Sequence, residues 1–419
     1  MRRIGRPVIV FLQSIFVRDE CEASPCMRIP LRSTRMHSIL KISTTALFLP
    51  HNMTHSDKER TERIQESFFA KIKLKAKEER KQNRLKAIHS REKFVGRFLR
   101  MQMASDLCKL VKEDYNSLNE MINRPNYHSF TIPKKSGGKR AISAPDKRLL
   151  RVQKKLNRYL QFVYLGIRPA AVHGFVMQVS DGSIQANIVE NAKVHVGKRA
   201  VLSIDLVDFF PSISAKSVKE LFMRAPFNFN EQIAIPLALL MTSERKLPQG
   251  APTSPVISNF ICLQLDETLR IWAMKHNATY TRYADDLTFS ADLAFSEEQQ
   301  AELSKLIEAF GFVINEKKLR QRLKNRRQTV TGLTVNTKVN VDRRYLKRIR
   351  AMLHDLKTNG IEEATIRHFK LVRRSSPEHR LLFVNRLEGS IAFIGQVRGQ
   401  SDPIYQRMRK SFFDMRSSK

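Results

Sequence analysis

Three aspartates carry the clearest chemistry in this sequence. Thr279-Tyr280-Thr281-Arg282-Tyr283 runs into Ala284-Asp285-Asp286 and then into Leu287-Thr288-Phe289-Ser290. Two β-prone runs flank a short acidic turn. Successive residues of a regular strand point to opposite faces, so adjacent aspartates serve one site only where a turn redirects them, as a hairpin tip does. An ordinary Asx-rich turn has the same local composition. A further carboxylate argues for more. Ala200-Val201-Leu202-Ser203-Ile204-Asp205 is an apolar strand ending in an acid, and Phe209-Phe210-Pro211 breaks it ahead of a helix expected from near Ser212. Asp205, Asp285 and Asp286 on one sheet edge would meet the requirement for two Mg²⁺ ions about 4 Å apart in phosphoryl transfer. Hard oxygen ligands select Mg²⁺ over softer metals.

Other elements must position these acids. Residues 105–125 read as a helix stopped by Pro125, and residues 127–145 as a β-hairpin turning at Lys134-Lys135-Ser136-Gly137-Gly138. Lys147 to Tyr164 has helical apolar spacing at Leu149, Val152, Leu156, Leu160 and Val163. Strands and helices then alternate to about residue 336, which predicts an α+β core, and the chain from Asp342 onward is helical and basic.

The motifs resemble those of reverse transcriptases. Tyr283-Ala284-Asp285-Asp286 is similar to the family's signature hairpin. Ser203-Ile204-Asp205 with Phe209-Phe210-Pro211-Ser212-Ile213 resembles the first palm motif. Leu247-Pro248-Gln249-Gly250-Ala251-Pro252-Thr253-Ser254-Pro255 resembles the segment under the incoming nucleotide. The resemblance implies a right-hand polymerase fold: fingers, a palm of antiparallel sheet with helices, and a helical thumb. It implies catalytic, metal-binding roles for Asp205, Asp285 and Asp286, with Asp208 offering mainly backbone contacts to the triphosphate. Ile132-Pro133-Lys134-Lys135 with Gly138-Lys139-Arg140 resembles the fingers hairpin, where Arg140 would clamp the triphosphate, a bidentate task suited to guanidinium. Gln249 resembles the residue that contacts the nucleotide near its sugar. Lys318 resembles the lysine that protonates the leaving pyrophosphate, with Lys317 a competitor for that register. Phe210 stands at the family's steric gate, where a ring excludes a ribose 2′-OH and favours dNTPs. A plain core phenylalanine is the other reading of Phe210.

Two short elements resemble those of the bacterial retron-type enzymes: Asn191-Ala192-Lys193-Val194-His195, and Val330-Thr331-Gly332. That subfamily implies a cognate structured noncoding RNA as template and an RNA–DNA hybrid as product. It also implies priming from a guanosine 2′-OH to give branched multicopy single-stranded DNA, and antiphage defence with a separate effector protein. The implied divisions are a variable extension over 1–52, a basic helical region over 53–125, fingers over 126–196, palm over 197–336 and basic helical thumb over 337–419. A group II intron-like or diversity-generating reverse transcriptase shares the palm motifs. A non-catalytic RNA-binding scaffold would keep the fold but has no use for three mutually repelling carboxylates.

Composition agrees with a polyanionic partner. The chain has 419 residues, 75 Lys+Arg against 40 Asp+Glu, and a formal net charge of +35. Such a protein self-repels until it meets a polyanion, and nucleic acid is the usual one. An anionic membrane surface is the alternative, but no stretch is long and apolar enough to span a bilayer. Cys21, Cys26, Cys108 and Cys262 lack a metal-ligand pattern, which suits the cytoplasm without structural disulfides. Arg2, Arg3 and Arg6 ahead of Val8–Val17 loosely imitate a signal peptide, but no cleavage-type site follows. A variable leader, or an upstream start codon with Met36 and Met53 as later starts, is the preferred reading.

Overall fold

The computed structural model describes residues 89–133, 137–179, 185–372 and 374–417. The chain divides into two compact units, Met1–Arg97 and Phe98–Lys419. Of the first, only 89–97 are described, and they are helical. The expectations for 1–52 and for 53–88 of the basic helical region lie outside the described residues.

Helices α1 (Ala104–Val111) and α2 (Tyr115–Asn123) replace the single helix expected over 105–125. The break has two local causes. Lys112 adopts a left-handed φ of 57°, and Asp114 caps α2 by accepting a hydrogen bond from the Ser117 N–H at 2.9 Å. Strands β1 (Tyr127–Pro133) and β2 (Lys139–Pro145) pair antiparallel as the expected hairpin, Tyr127 opposite Pro145. Most of their residues are exposed, so this ribbon projects rather than packs. Asp146 caps α3 (Lys147–Leu165), whose buried stripe includes Leu149, Val152, Leu156 and Leu160. Short α4 (Ile188–Lys193) follows, capped by Asn187.

The central sheet has strand order β4-β5-β3-β6 and is antiparallel throughout. Its strands are β3 (Ala200–Asp205), β4 (Thr279–Tyr283), β5 (Asp286–Ala291) and β6 (Arg320–Leu323). The inner strands β3 and β5 are mostly buried; β3 reads as an apolar run, while β5 alternates Leu287 and Phe289 with Thr288 and Ser290. Between β3 and β4 lie α5 (Ala215–Met223), α6 (Glu231–Met241), α7 (Ser254–Ile261) and α8 (Leu263–Lys275). The helix expected from Ser212 starts at Ala215 instead, because the Ser214 hydroxyl accepts from the Ser217 N–H and acts as its cap, leaving 208–212 as turns.

Helix α9 (Glu297–Ala309) precedes β6. The small hairpin β7 (Thr329–Val330) and β8 (Leu333–Thr334) then leads to α10 (Arg343–Phe369), α11 (Pro377–Arg398) and α12 (Pro403–Ser417). Helix α10 breaks at Gly360, whose φ of 77° only glycine adopts freely. One apolar cluster joins Val189 and Ala192 of α4, Val201 of β3, Val330 and Leu333 of the small hairpin, and Leu346, Phe383, Leu387 and Phe412 of the last helices.

Candidate active site

The turn between β4 and β5 is a two-residue hairpin loop, Ala284-Asp285, closed by the pair Tyr283 and Asp286. Ala284 takes a left-handed φ of 61°, a position where such turns favour glycine. The strain is held by partners. Arg282, fully buried, donates from Nη1 to the Ala284 carbonyl at 3.2 Å and to Asn259 Oδ1 at 3.0 Å. Its Nε and Nη2 each reach an oxygen of buried Asp266 at 2.7 Å. Tyr280 Oη donates to the same carboxylate at 2.8 Å. Burial alone would lower the Arg282 pKa, but the Asp266 charge reverses this and holds it well above its ordinary value. Behind the turn, a Cβ on Gly174 would stand 2.4 Å from the Ala284 nitrogen, so only glycine fits.

Asp205 at the end of β3 is the register partner of Asp286 on β5. The Leu206 N–H donates to the Asp285 carbonyl at 3.2 Å, stitching the two acidic segments together. Lys318 Nζ donates to Asp205 Oδ2 at 2.8 Å, and Asn315 reaches Asp205 through its backbone N–H at 2.8 Å and its side chain at 3.3 Å. Burial, then the charges of Asp285 and Asp205, push the Asp286 carboxyl up to about 7. Asp285 is raised too, by burial first and also by Asp205, with Lys318 and Arg140 opposing. Two buried acids beside a third that already holds an ammonium form an all-oxygen donor set whose chemistry fits a divalent ion. As the side chains lie, no three His, Cys, Asp or Glu among the described residues stand together closely enough to coordinate a metal.

A cavity of about 690 Å³ opens over Asp205 and Asp285. Arg140, Asp208, Phe210, Gln249, Asn315 and Lys318 also line it. The sequence candidates for nucleotide contact therefore converge on one space. Asp286 and Lys317 do not line it. Arg140 arrives on β2, which is anchored where the Ser143 N–H donates to the Gln249 carbonyl at 2.9 Å. Gly250 makes that contact feasible, since a Cβ there would lie 2.7 Å from the Ser143 oxygen. Asp208 sits at a left-handed φ of 43°. Phe210 packs against Phe209 and Phe175.

The two short elements stand away from the cavity and meet each other. Thr331 and Gly332 form a hairpin turn with φ of 47° and 82°, and Thr331 Oγ1 donates to the Ile188 carbonyl of α4 at 3.2 Å. His195 is fully buried, with its ring nitrogens 2.7 Å from Thr281 Oγ1 on β4 and 2.7 Å from Ser290 Oγ on β5. It thus ties the small element to both strands of the acidic hairpin. Asn191 is buried with no hydrogen-bond partner for its side chain among the described residues.

Sequence reasoning gave no role to Arg282, Asp266, Gly174 or Asn315. A charged residue inside an otherwise β-prone, apolar-flanked run was the available signal for Arg282. Nothing in the sequence pairs it with Asp266.

Residues 132–335 match the family model described as reverse transcriptase (RNA-dependent DNA polymerase). The chain is 38% identical over 257 residues to the retron Mx65 reverse transcriptase of Myxococcus xanthus, covering 56% of this chain and 58% of that one. It is 35% identical over 274 residues to the retron Mx162 reverse transcriptase of the same organism, covering 57% and 54%. It therefore spans little more than half the length of those two relatives. To the retron Ec86 reverse transcriptase of Escherichia coli it is 32% identical over 299 residues, covering 69% of this chain and 90% of that one. The mixed helices and antiparallel sheet, with acids at the sheet edge, are those of a right-hand polymerase. The chain belongs to the bacterial retron-type reverse transcriptases.

Proposed function

We propose that this chain is an RNA-directed DNA polymerase that copies its own structured noncoding RNA into DNA. The observation that carries the reading is the cavity where Asp205 and Asp285 face Arg140, Gln249, Phe210 and Lys318. Asp205, Asp285 and Asp286 would hold two Mg²⁺ ions, which when bound supply activation of the attacking hydroxyl and charge stabilisation of the leaving group. The hydroxyl oxygen forms a bond to the α-phosphorus of a dNTP, and the bond from that phosphorus to the α–β bridging oxygen breaks. Arg140 grips the triphosphate, Asp208 offers backbone contacts to it, and Gln249 sits near the sugar. Lys318, its ammonium already inside the cavity, gives a proton to pyrophosphate. Phe210 excludes a ribose 2′-OH.

The priming hydroxyl is a guanosine 2′-OH of the template RNA, giving branched multicopy single-stranded DNA. Fingers over 126–196, palm over 197–336 and thumb over 337–419 grip the RNA and then the RNA–DNA hybrid. Asn191, His195, Val330, Thr331 and Gly332 form the subfamily support behind the palm. The protein works in the cytoplasm with a separate effector, as an antiphage defence unit. No helix among the described residues is long and apolar enough to cross a membrane.

The test is to purify the protein with RNA from its own locus, add Mg²⁺ and labelled dNTPs, and resolve the products on a denaturing gel. A discrete DNA that shortens on RNase treatment yet retains a small RNA stub is the expected product. DNA made only on an added primer–template would overturn the retron-type priming, and no DNA in either case would overturn the polymerase.

A further inference from the structure

Phe175 lines no part of the nucleotide cavity, yet its backbone conformation is an unusual one. Its φ is +59°, a region that a bulky aromatic residue rarely adopts. Strain of this kind persists only where neighbours over-determine it. Here they do. Gln161 of α3 spends both ends of its buried amide on this segment: Nε2 donates to the Phe175 carbonyl at 3.1 Å, and Oε1 accepts from the Met177 N–H at 3.2 Å. On the other side, the segment is sewn to the edge of β4. The His173 N–H donates to the Arg282 carbonyl and the Arg282 N–H to the Ala171 carbonyl, both at 2.9 Å. Asn259 Nδ2 donates to the Gly174 carbonyl at 3.1 Å. The backbone is therefore fixed before Phe175 to the strand that carries the acidic turn and to α7, and from Phe175 onward to α3.

What this fixed backbone presents is a ring, 5.8 Å from the ring of Phe210 with 34° between their planes. The other aromatic neighbour of Phe210 is Phe209, at 5.4 Å, itself buried and stacked on Phe312 at 5.6 Å. Phe210 is thus held by one neighbour locked into the core and a second locked by a strained backbone. A ring that discriminates a hydroxyl from a hydrogen does so only if it cannot swing aside. We propose that Phe175 is a positioning residue for sugar discrimination, acting through Phe210. The proposal rests on the reading of Phe210 as the steric gate.

The experiment measures kcat/KM for dGTP and for GTP, incorporated opposite cytosine on an RNA template with a DNA primer. The readout is their ratio, because loss of folded protein scales both values equally. Phe210→Ala is the control for the gate. Phe175→Ala is expected to lower the dGTP/GTP ratio about tenfold, the equivalent of one aromatic contact. Phe175→Leu, which keeps most of the volume, is expected to fall between Phe175→Ala and the parent. The double variant Phe175→Ala/Phe210→Ala is expected to match Phe210→Ala alone. A ratio unchanged in Phe175→Ala while Phe210→Ala collapses it would overturn the role of Phe175 and leave the gate standing. A ratio unchanged in Phe210→Ala would overturn the gate, and the proposal with it.

Discussion

Removing the carboxylate of Asp266 should damage this fold more than any surface charge removal. Asp266 and Arg282 are both buried to within 1% of complete, and the acid takes two hydrogen bonds from the guanidinium and one from Tyr280. Asp266→Ala leaves a guanidinium charge in a dry interior with only Asn259 and the Ala284 carbonyl as partners. Stranding one member of a buried pair costs about 3–5 kcal/mol, against a total stability of roughly 5–15 kcal/mol for a folded domain. The comparison is Asp292→Ala, which breaks the solvent-facing pair with Lys198 at 2.9 Å. Such pairs contribute about 1 kcal/mol or less. Urea unfolding followed by tryptophan fluorescence reads the difference locally. The chain has a single tryptophan, Trp272, on the same helix as Asp266 and edge-on to Phe289 of β5 at 5.6 Å. Asp266→Leu combined with Arg282→Met removes both charges and should regain most of the lost stability, since apolar replacements of buried pairs are often neutral or better. That double variant should still synthesise DNA poorly, because the Ala284 carbonyl has lost its brace. An Asp266→Ala protein within about 1 kcal/mol of the parent, or a double variant as unstable as the single one, would refute the reasoning.

Two further outcomes follow from the same geometry. Gly174→Ala puts a methyl 2.4 Å from the Ala284 nitrogen, where only backbone can yield, so the acidic turn must shift. A displacement of about 1 Å at reacting groups can cost on the order of a hundredfold in rate. Steady-state kinetics should show this loss in kcat with the RNA still bound. His173 and His195 are buried neutral. Burial first lowers them to about 4 and about 3, with the charge of Arg168 adding to the effect at His173 and that of Lys198 at His195. Above a pH of about 6.5 neither state is protonated and no penalty exists. Below it the unfolded chain takes up protons that the folded chain refuses, so stability falls by about 1.4 kcal/mol per pH unit for each ring. The loss continues until the folded rings titrate. Urea midpoints between pH 7 and 5 should fall accordingly, and a flat profile would contradict it.

The acidic hairpin, the β1–β2 ribbon and α3 were legible because each has a local signature: a turn between two β-prone runs, a Gly-Gly bend, an apolar stripe of helical period. Helices α1 and α2 read as one because the apolar spacing runs on through Lys112, and the Asp114 cap that separates them is a single hydrogen bond. The start of α5 was misplaced by a few residues for the same reason, as Ser214 rather than Ser212 holds the cap. Arg140, Asp208, Phe210, Gln249 and Lys318 were singled out by motif resemblance, which carries spatial information that composition lacks, whereas Asn315 was not. Arg282 with Asp266, and Gly174 against Ala284, were not. Both are contacts between segments far apart along the chain, and nothing local to either partner names the other. His195 was singled out by its motif, but its place between Thr281 and Ser290 emerges only once β4 and β5 are paired.

The most direct test is isosteric neutralisation of the acids that face the cavity. Asp285→Asn and Asp205→Asn keep the shape of each side chain while removing the charge that a metal-assisted phosphoryl transfer needs. Each variant, purified with its RNA, would be given Mg²⁺ and labelled dNTPs beside the parent and a parent sample stripped with chelator. RNA bound as in the parent, with DNA synthesis abolished in both variants and in the chelated sample, is the result predicted. DNA synthesis at parental rate in either variant would contradict the assignment of this sheet edge as the catalytic centre.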